Sequence, residues 1–506
     1  MKRICNSIWL LFWFCTLPLS AQDNQVYQIS FEGIDYAYNM EFDKALNRFD
    51  AIINIDPQNP HGHLLKAISH YYLYLVDMEN KSAESSFREL AATTSEVAQK
   101  RLQRNRDDQD AMFALGTINM YLAAYYGENN GWMRAYWYGK EGINYLEALT
   151  EKNPAYYDAY LGLGLYHYYA AVMPKLVKAI SFLLGVEADR RRGLQELEVA
   201  RQKGTYASVE AKFFLGYIYL YLEKNYQKAV SYFRELCDVY PNNPVFRIVL
   251  GDSYRKFGKH DLAIAAYKQS VADPILKRFP RLVNSSHYLM GNIYFEKNDL
   301  KSAIEMYELA VENAAKFPNA DDGVYSWGLY KQGECYEMLG SRELAESFYK
   351  RVKKDDNKFA YEKAAFRLKN PMLKVDADLI RARNYLITHQ FDEAIAIYRD
   401  VIPQLSSTAI EYPLERLPEL YYNIGRAKFE MKDYASAVDD FKKVLSIKET
   451  PEKWILPWTH YRIGRCYQHL GRVSDALTHY KLAYKYDDGD LRFEIDKINR
   501  ELKGSF

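Results

Sequence analysis

The sequence predicts an all-α solenoid built from about eleven helix–turn–helix units and closed by a C-terminal helix. Three observations predict it. One pattern of small and aromatic residues recurs along the chain; apolar residues fall at helical spacing inside each copy; Pro and Gly punctuate the chain instead of gathering in linkers. The clearest copy is Leu250-Gly251-x-x-Tyr254, then Gly258, Ala263, Tyr267 and Ser270. It recurs as Met290-Gly291-x-x-Tyr294 with Ala303, Tyr307 and Ala310, as Gly333-x-x-Tyr336 with Ala345 and Tyr349, and as Gly464-x-x-Tyr467 with Gly471, Ala476, Tyr480 and Ala483. Weaker copies run through Gly33/Tyr36/Ala45/Phe49, Gly216/Tyr219/Ala229/Phe233, Ala382/Tyr385/Ala394/Tyr398 and Gly425/Ala437/Phe441.

The residue types suit the packing they must serve. Two antiparallel helices approach closely only where small residues let their backbones meet, and an aromatic ring then fills the space beside them. Pro57 and Pro241 stop the second helices of their units, because a proline ring cannot continue the hydrogen-bond ladder. On these residues the chain resembles the tetratricopeptide repeat over roughly Val26 to Asp490. The resemblance implies a right-handed superhelical solenoid whose first helices line a concave surface.

Taken in order, residues 1–21 read as an export signal. Lys2-Arg3 precede an apolar run from Ile8 to Leu19, and Leu19-Ser20-Ala21 ends in a small residue before Gln22. The run is shorter than the ~20 residues of a spanning helix. Cys15 follows Trp13-Phe14 rather than small residues, which disfavours a lipid-anchor site. Residues 22–205 form an irregular repeat region. Its second unit, around Ala67 and Phe87, runs on into Thr93–Arg104 as a lengthened helix, and its third carries an insertion near Gly127–Ala135.

In the fourth unit Pro174 opens a segment over 173–185 in which Leu176, Val177, Ile180, Leu183 and Leu184 share one helical face. This insert plugs the interior or packs on neighbouring helices; with Lys175, Lys178 and Arg190–Arg192 it alternatively offers peripheral membrane contact. Gly164-Leu-Tyr-His-Tyr-Tyr169, Phe182-Leu-Leu-Gly185, Asp189-Arg190 and Gly193-Leu194 together look like a segment of the tetratricopeptide family linked with mitochondrial outer membranes and inclusion-body clearance. That likeness marks a subfamily, not an activity. Residues 206–490 form the regular array, interrupted by extra helical material over 353–374 that ends at Asn370-Pro371. The final 491–506 segment caps the stack.

Several function classes are excluded. Basic and acidic residues number 67 and 66, so the chain lacks the basic footprint of a nucleic-acid binder. Gly162-x-Gly164 lacks a third glycine and lies inside a helix, and Gly139-Lys140 and Gly258-Lys259 continue into Glu141 and His260, so no nucleotide loop is formed. His61 and His63 stand on opposite sides of a helix and cannot share a metal. Cys237, Cys335 and Cys466 fall in different repeats and read as small buried hydrophobes. The sequence therefore names no catalytic residue, no metal and no cofactor.

By the resemblance, positions three before and one after the small residue of each first helix face a ligand. The first position gives an aromatic row, Phe213, Ile248, Tyr288, Tyr330, Tyr422 and Tyr461, with Trp327 and Trp458 close by. The second gives Tyr217, Asp252, Asn292 and Glu334, then Arg383, Arg426 and Arg465. The expected binding residues are thus Tyr288, Tyr330, Arg383, Tyr422, Arg426, Tyr461 and Arg465. Guanidinium forks suit carboxylates, which points to acidic protein or peptide segments. The competing reading pairs these arginines with Glu419 or Asp376. The function expected is an exported scaffold of the periplasm or cell envelope that binds proteins through its groove. The alternative is an outer-membrane-associated nutrient- or glycan-binding protein that stacks sugar rings on the aromatic row.

Overall fold

A computed structural model describes residues 21–76, 80–172, 189–318, 323–447 and 453–486, together with Leu491, Ile495 and Ile498. The described residues form 23 α-helices and no strand beyond one isolated bridge between Ser406 and Pro413. Eleven hairpins account for all but one of the helices. They are α1 (Ala21–Tyr38) with α2 (Phe42–Ile55), α3 (Pro60–Val76) with α4 (Lys81–Arg104), α5 (Gln109–Glu128) with α6 (Trp132–Lys152), and α7 (Ala159–Val172) with α8 (Arg190–Lys203). Next come α9 (Ser208–Tyr221) with α10 (Tyr226–Val239), α11 (Pro244–Lys256) with α12 (His260–Ala272), α13 (Pro280–Glu296) with α14 (Leu300–Lys316), and α15 (Val324–Met338) with α16 (Arg342–Tyr349). After the unpaired α17 (Lys358–Lys369) follow α18 (Lys374–Ile387) with α19 (Phe391–Val401), α20 (Leu417–Glu430) with α21 (Tyr434–Ser446), and α22 (Ile455–His469) with α23 (Val473–Tyr486).

The repeat residues sit where the packing argument puts them. A Cβ added at Gly291 would lie 2.6 Å from the Tyr307 ring, one at Gly425 2.7 Å from Phe441, and one at Gly464 2.7 Å from Tyr480. Any larger residue would force the second helix away. Phe49, Phe233, Tyr267, Tyr307, Tyr349, Tyr398, Phe441 and Tyr480 are all fully buried. Each contributes on the order of 1.5–3 kcal/mol by leaving water, so the aromatic at this register is the main glue of its hairpin. The turn inside most hairpins uses one left-handed residue, which closes the first helix: Met40, Asn130, Lys224, Gly258, Asn298, Gly340, His389, Lys432 and Gly471 all have positive φ.

One sequence expectation resolves differently in detail. Residues 127–135 are not an inserted loop. Only residues 129–131 leave the helices, in a tight turn through Asn130, and the extra length of this unit lies in the helices themselves, 20 residues in α5 and 21 in α6. The amphipathic segment expected at 173–185 falls outside the described residues, as do residues 1–20. The lengthened second helix (α4) and the extra helix ending at Asn370 (α17) are both present. Of the capping segment, Leu491, Ile495 and Ile498 are buried in the core of α20–α23. Cys335 and Cys466 are likewise buried, in separate cores.

The chain divides into two compact units at Phe246/Arg247. In the N-terminal unit the first hairpin meets the last. The Asn243 side-chain amide donates to the Tyr38 carbonyl at 2.7 Å, Tyr38 packs on Tyr240 at 5.3 Å, and Phe31 packs on Tyr206 at 5.4 Å. In the C-terminal unit α18 returns onto α13. Asn384 Nδ2 donates to the Phe295 carbonyl at 2.7 Å and to Asn298 Oδ1 at 2.9 Å, while Asn298 Nδ2 donates to the Arg381 carbonyl at 3.1 Å.

Candidate binding site

The C-terminal unit places several sheltered charges on its first helices. Lys331 pairs with Glu334 one turn along α15 at 2.5 Å, and Arg255 of α11 lies 3.2 Å from Asp252 and 3.4 Å from Glu296 of α13. Burial pushes the Glu334 carboxyl up, but Lys331, Arg383 and Arg367 pull it harder the other way, and it ends below the usual carboxylate range. Glu296 ends above that range, because burial outweighs the pull of Arg255 and Lys331. Burial works against the Lys331 ammonium, yet Glu334 holds it above the ordinary lysine value.

The four tyrosines of the expected aromatic row prove to be walls. Tyr288 packs on Tyr307 at 5.7 Å, Tyr330 on Tyr349 at 5.8 Å, Tyr422 on Phe441 at 5.8 Å and Tyr461 on Tyr480 at 6.0 Å. Each first-helix ring thus lies on the repeat aromatic of its own second helix. Tyr330, Tyr422 and Tyr461 keep only 6%, 4% and 8% of their surface exposed, which leaves little ring face for a ligand. Trp327, Trp454 and Trp458 close the same rings edge-on, at 5.8, 5.2 and 5.8 Å from Tyr330, Tyr422 and Tyr461. The hydroxyls remain engaged locally: Tyr330 donates to Glu334 Oε1 at 3.3 Å, and Tyr461 accepts from Arg465 Nη1 at 3.4 Å.

The three arginines occupy successive first helices, Arg383 on α18, Arg426 on α20 and Arg465 on α22. The acids that could have neutralised them are engaged elsewhere. Asp376 lies 2.5 Å from Arg416 and 3.6 Å from Arg367, and Arg416 also reaches Glu419 at 3.2 Å. Among the described residues Arg383 and Arg426 make no ion pair. Arg426 Nη1 reaches Asn423 Oδ1 at 3.4 Å, and its buried Nε has no hydrogen-bond partner. Arg367, Arg383 and Arg416 line one cavity of about 230 Å³ with Asp376, Glu419 and Asn423. Sequence reasoning missed Arg367, Arg416 and Arg462. Arg462 lies over the Phe429 ring at 5.4 Å and 3.8 Å from Glu430.

Arg367 also walls a second, open cavity of about 410 Å³, bounded by Tyr330, Phe359, Glu362, Lys363 and Phe366. Among the residues singled out in the fourth unit, Gly164, His167 and Gly193 are packing residues. A Cβ on Gly193 would lie 2.7 Å from the Gly164 carbonyl, and His167 is fully buried with Nδ1 2.6 Å from Glu196. Among the described residues no three His, Cys, Asp or Glu side chains gather as metal ligands, and no helix is long and apolar enough to cross a membrane.

Family models for the tetratricopeptide repeat match residues 184–244 and 248–320, residues 328–356 and residues 418–451. Among curated proteins, RNA polymerase-associated protein CTR9 of Caenorhabditis elegans is 24% identical over 227 residues, 41% of this chain and 18% of that protein. The chain therefore spans under a fifth of the length of the curated relative it matches. A solved tetratricopeptide repeat protein from Parabacteroides merdae aligns over 57% of this chain and 96% of its own, at 18% identity and a TM-score of 0.26.

Proposed function

We propose that the tetratricopeptide repeats of this chain serve as an exported, non-catalytic scaffold that holds acidic segments of partner proteins against the arginines of its C-terminal unit. Repeats of this kind imply protein–protein interaction, and no catalytic family is indicated. One observation carries the finer reading. Among the described residues Arg383 and Arg426, at matching repeat positions, make no ion pair, while Asp376 and Glu419 beside Arg383 are paired with Arg367 and Arg416. Guanidinium groups so placed bind a carboxylate with charge-assisted, bidentate geometry, and they do so best where water is partly excluded. The glycan alternative draws no such support, since sugar stacking needs ring faces that Tyr330, Tyr422 and Tyr461 spend on their own hairpins.

Export rests on the Lys2-Arg3 and Ile8–Leu19 pattern, and places the scaffold in the periplasm or at the cell envelope. Peripheral membrane contact through 173–185 rests on its amphipathic spacing and basic flanks, and vesicle flotation with and without that segment tests it. The likeness of Gly164–Leu194 to the mitochondrial outer-membrane and inclusion-body-clearance family supports a scaffold subfamily and names no partner.

The deciding experiment crosslinks tagged protein in its native envelope and compares it with the Arg383→Glu/Arg426→Glu/Arg465→Glu variant. The expected outcome is capture of protein partners by the parent and loss of most of that capture in the variant. Undiminished capture by a variant with native circular dichroism would refute the arginine reading, and recovery of saccharide instead of protein would favour the alternative.

A further inference from the structure

The unpaired helix α17 has a feature that no hairpin requires. Ala360 and Ala364 bury one face of it against the preceding repeat, yet Phe359 and Phe366 are 70% and 58% exposed. Seven residues apart, the two rings lie on one face of the helix. They flank the open cavity of about 410 Å³, whose other walls are Tyr330, Lys363, Glu362 and Arg367. Among the described residues no second helix forms a hairpin with α17, and the two rings stay exposed. Two large rings held largely in water, on either side of a cavity, are a cost that occupancy would remove.

The cavity adjoins the arginine site. Arg367 lines both, with its guanidinium 3.6 Å from Asp376, and so forms the wall between them. One side of that wall offers aromatic surface with Lys363 and Glu362; the other offers Arg383, beside Arg416 held by Asp376 and Glu419. The aromatic side takes an apolar side chain, and the charged side takes a carboxylate.

Building on the acidic-segment reading, we infer that the partner segment is bipartite: an aromatic side chain seats between Phe359 and Phe366, and an Asp or Glu within about three residues reaches Arg383. That spacing follows from the common wall, because one residue of extended chain advances roughly 3.3 Å. Each cavity's lining carries one more basic than acidic side chain, Lys363 and Arg367 against Glu362 in one and Arg367, Arg383 and Arg416 against Asp376 and Glu419 in the other, which favours such an acidic peptide over a second copy of this chain, whose formal net charge is +1. The anchor supplies affinity and the carboxylate supplies register, the usual division between a buried aromatic and a charged rim.

Selection of a random dodecapeptide phage library on the purified full chain tests this. Enriched peptides should carry Phe, Trp or Tyr within three residues of Asp or Glu. A fluorescein-labelled peptide of that sequence should bind at least tenfold more weakly to Phe359→Ala/Phe366→Ala, and also to Arg383→Glu. Its own aromatic-to-Ala form should lose as much on the parent but little further on the phenylalanine variant. If enriched peptides are acidic without an aromatic, and bind Phe359→Ala/Phe366→Ala as tightly as the parent, the bipartite inference falls while the arginine reading stands. If Arg383→Glu and Arg426→Glu leave every enriched peptide bound, both fall. A concentration-dependent dimer abolished by Phe359→Ala/Phe366→Ala, with no peptide enriched, would also overturn the inference, because a second copy would then be the occupant.

Discussion

The two units use one repeat and fill it oppositely. In the N-terminal unit the first helices meet in tyrosines: the Tyr121 hydroxyl donates to Glu210, Tyr72 lies 3.0 Å behind it, and Tyr38 closes the cluster. Burial pushes the Glu210 carboxyl up to about 8, so at neutral pH it is mostly a neutral hydrogen-bonding group. In the C-terminal unit Glu334 sits in an equally sheltered place, and the cations around it keep it ionised below the usual range. Two glutamates on repeat first helices therefore differ in charge because of their neighbours, not their scaffold. The hairpin supplies position alone, and the interior residues choose between a neutral, hydrogen-bonded filling and a charged one that can exchange partners with a ligand.

The largest effect should come from breaking the charged filling. Lys331→Met leaves Glu334 buried with only the more distant Arg367 and Arg383, and should cost about 3 kcal/mol, the lower end for an orphaned buried charge. Urea unfolding followed by hydrogen exchange should place the loss in α13–α18 and spare residues before Phe246. Lys331→Met/Glu334→Leu should recover most of it. A cost equal in single and double variants would mean that the pair is not electrostatically coupled.

The neutral filling should answer to pH instead. Glu210 is raised from its ordinary value of 4.5 to about 8, so the folded state holds a proton that the unfolded chain has released. Stability of the N-terminal unit should be full below about 4.5 and decline as pH rises through about 8. The groups facing Glu210 are Tyr121 of α5 and Tyr38 of α1, both held above the ordinary tyrosine value by burial, so neither becomes a compensating charge. Glu210→Gln should flatten the slope in α9 amide exchange without changing the C-terminal unit. A slope unchanged by that substitution would assign it to another group. Tyr121→Phe removes one hydrogen bond to the carboxyl, and should cost about 1 kcal/mol at pH 6.

How much of this could be read in advance follows from what carries a period. Gly291 with Tyr307, Gly425 with Phe441 and Gly464 with Tyr480 repeat at fixed spacing because each hairpin needs the same close approach. The positions of Arg383, Arg426 and Arg465 were legible for the same reason. Arg367 and Arg416 were not, since one sits on a helix outside the repeat and the other just before α20, where no register points to them. The tyrosine row was legible as a row but not as a wall. The position that faces a groove also faces the repeat aromatic, and only the structure shows which contact each ring takes. The meeting of Asn243 with Tyr38 left no local signal, because a side-chain amide bonded to a distant carbonyl imposes no spacing on the sequence.

The smallest expected effect sharpens the comparison from the other side. Lys224 and Lys432 each hold a left-handed position two residues before a second helix, with φ of 53° and 65°, in turns that differ by one residue in length. The residue after each donates its amide back into the preceding helix, Asn225 to the Tyr219 carbonyl at 2.8 Å and Asp433 to the Lys428 carbonyl at 2.9 Å. A side chain at such φ costs about 1 kcal/mol, and glycine removes that cost while giving back part of it as freedom of the unfolded chain. Lys224→Gly and Lys432→Gly should therefore each stabilise their own unit by about 0.5 kcal/mol, equally and independently of pH and salt. Equal gains, read as midpoint shifts in denaturant, would establish that the hairpin frame is energetically the same in both units. The difference between them would then reside in the interior side chains alone. Unequal gains would put part of the difference into the backbone.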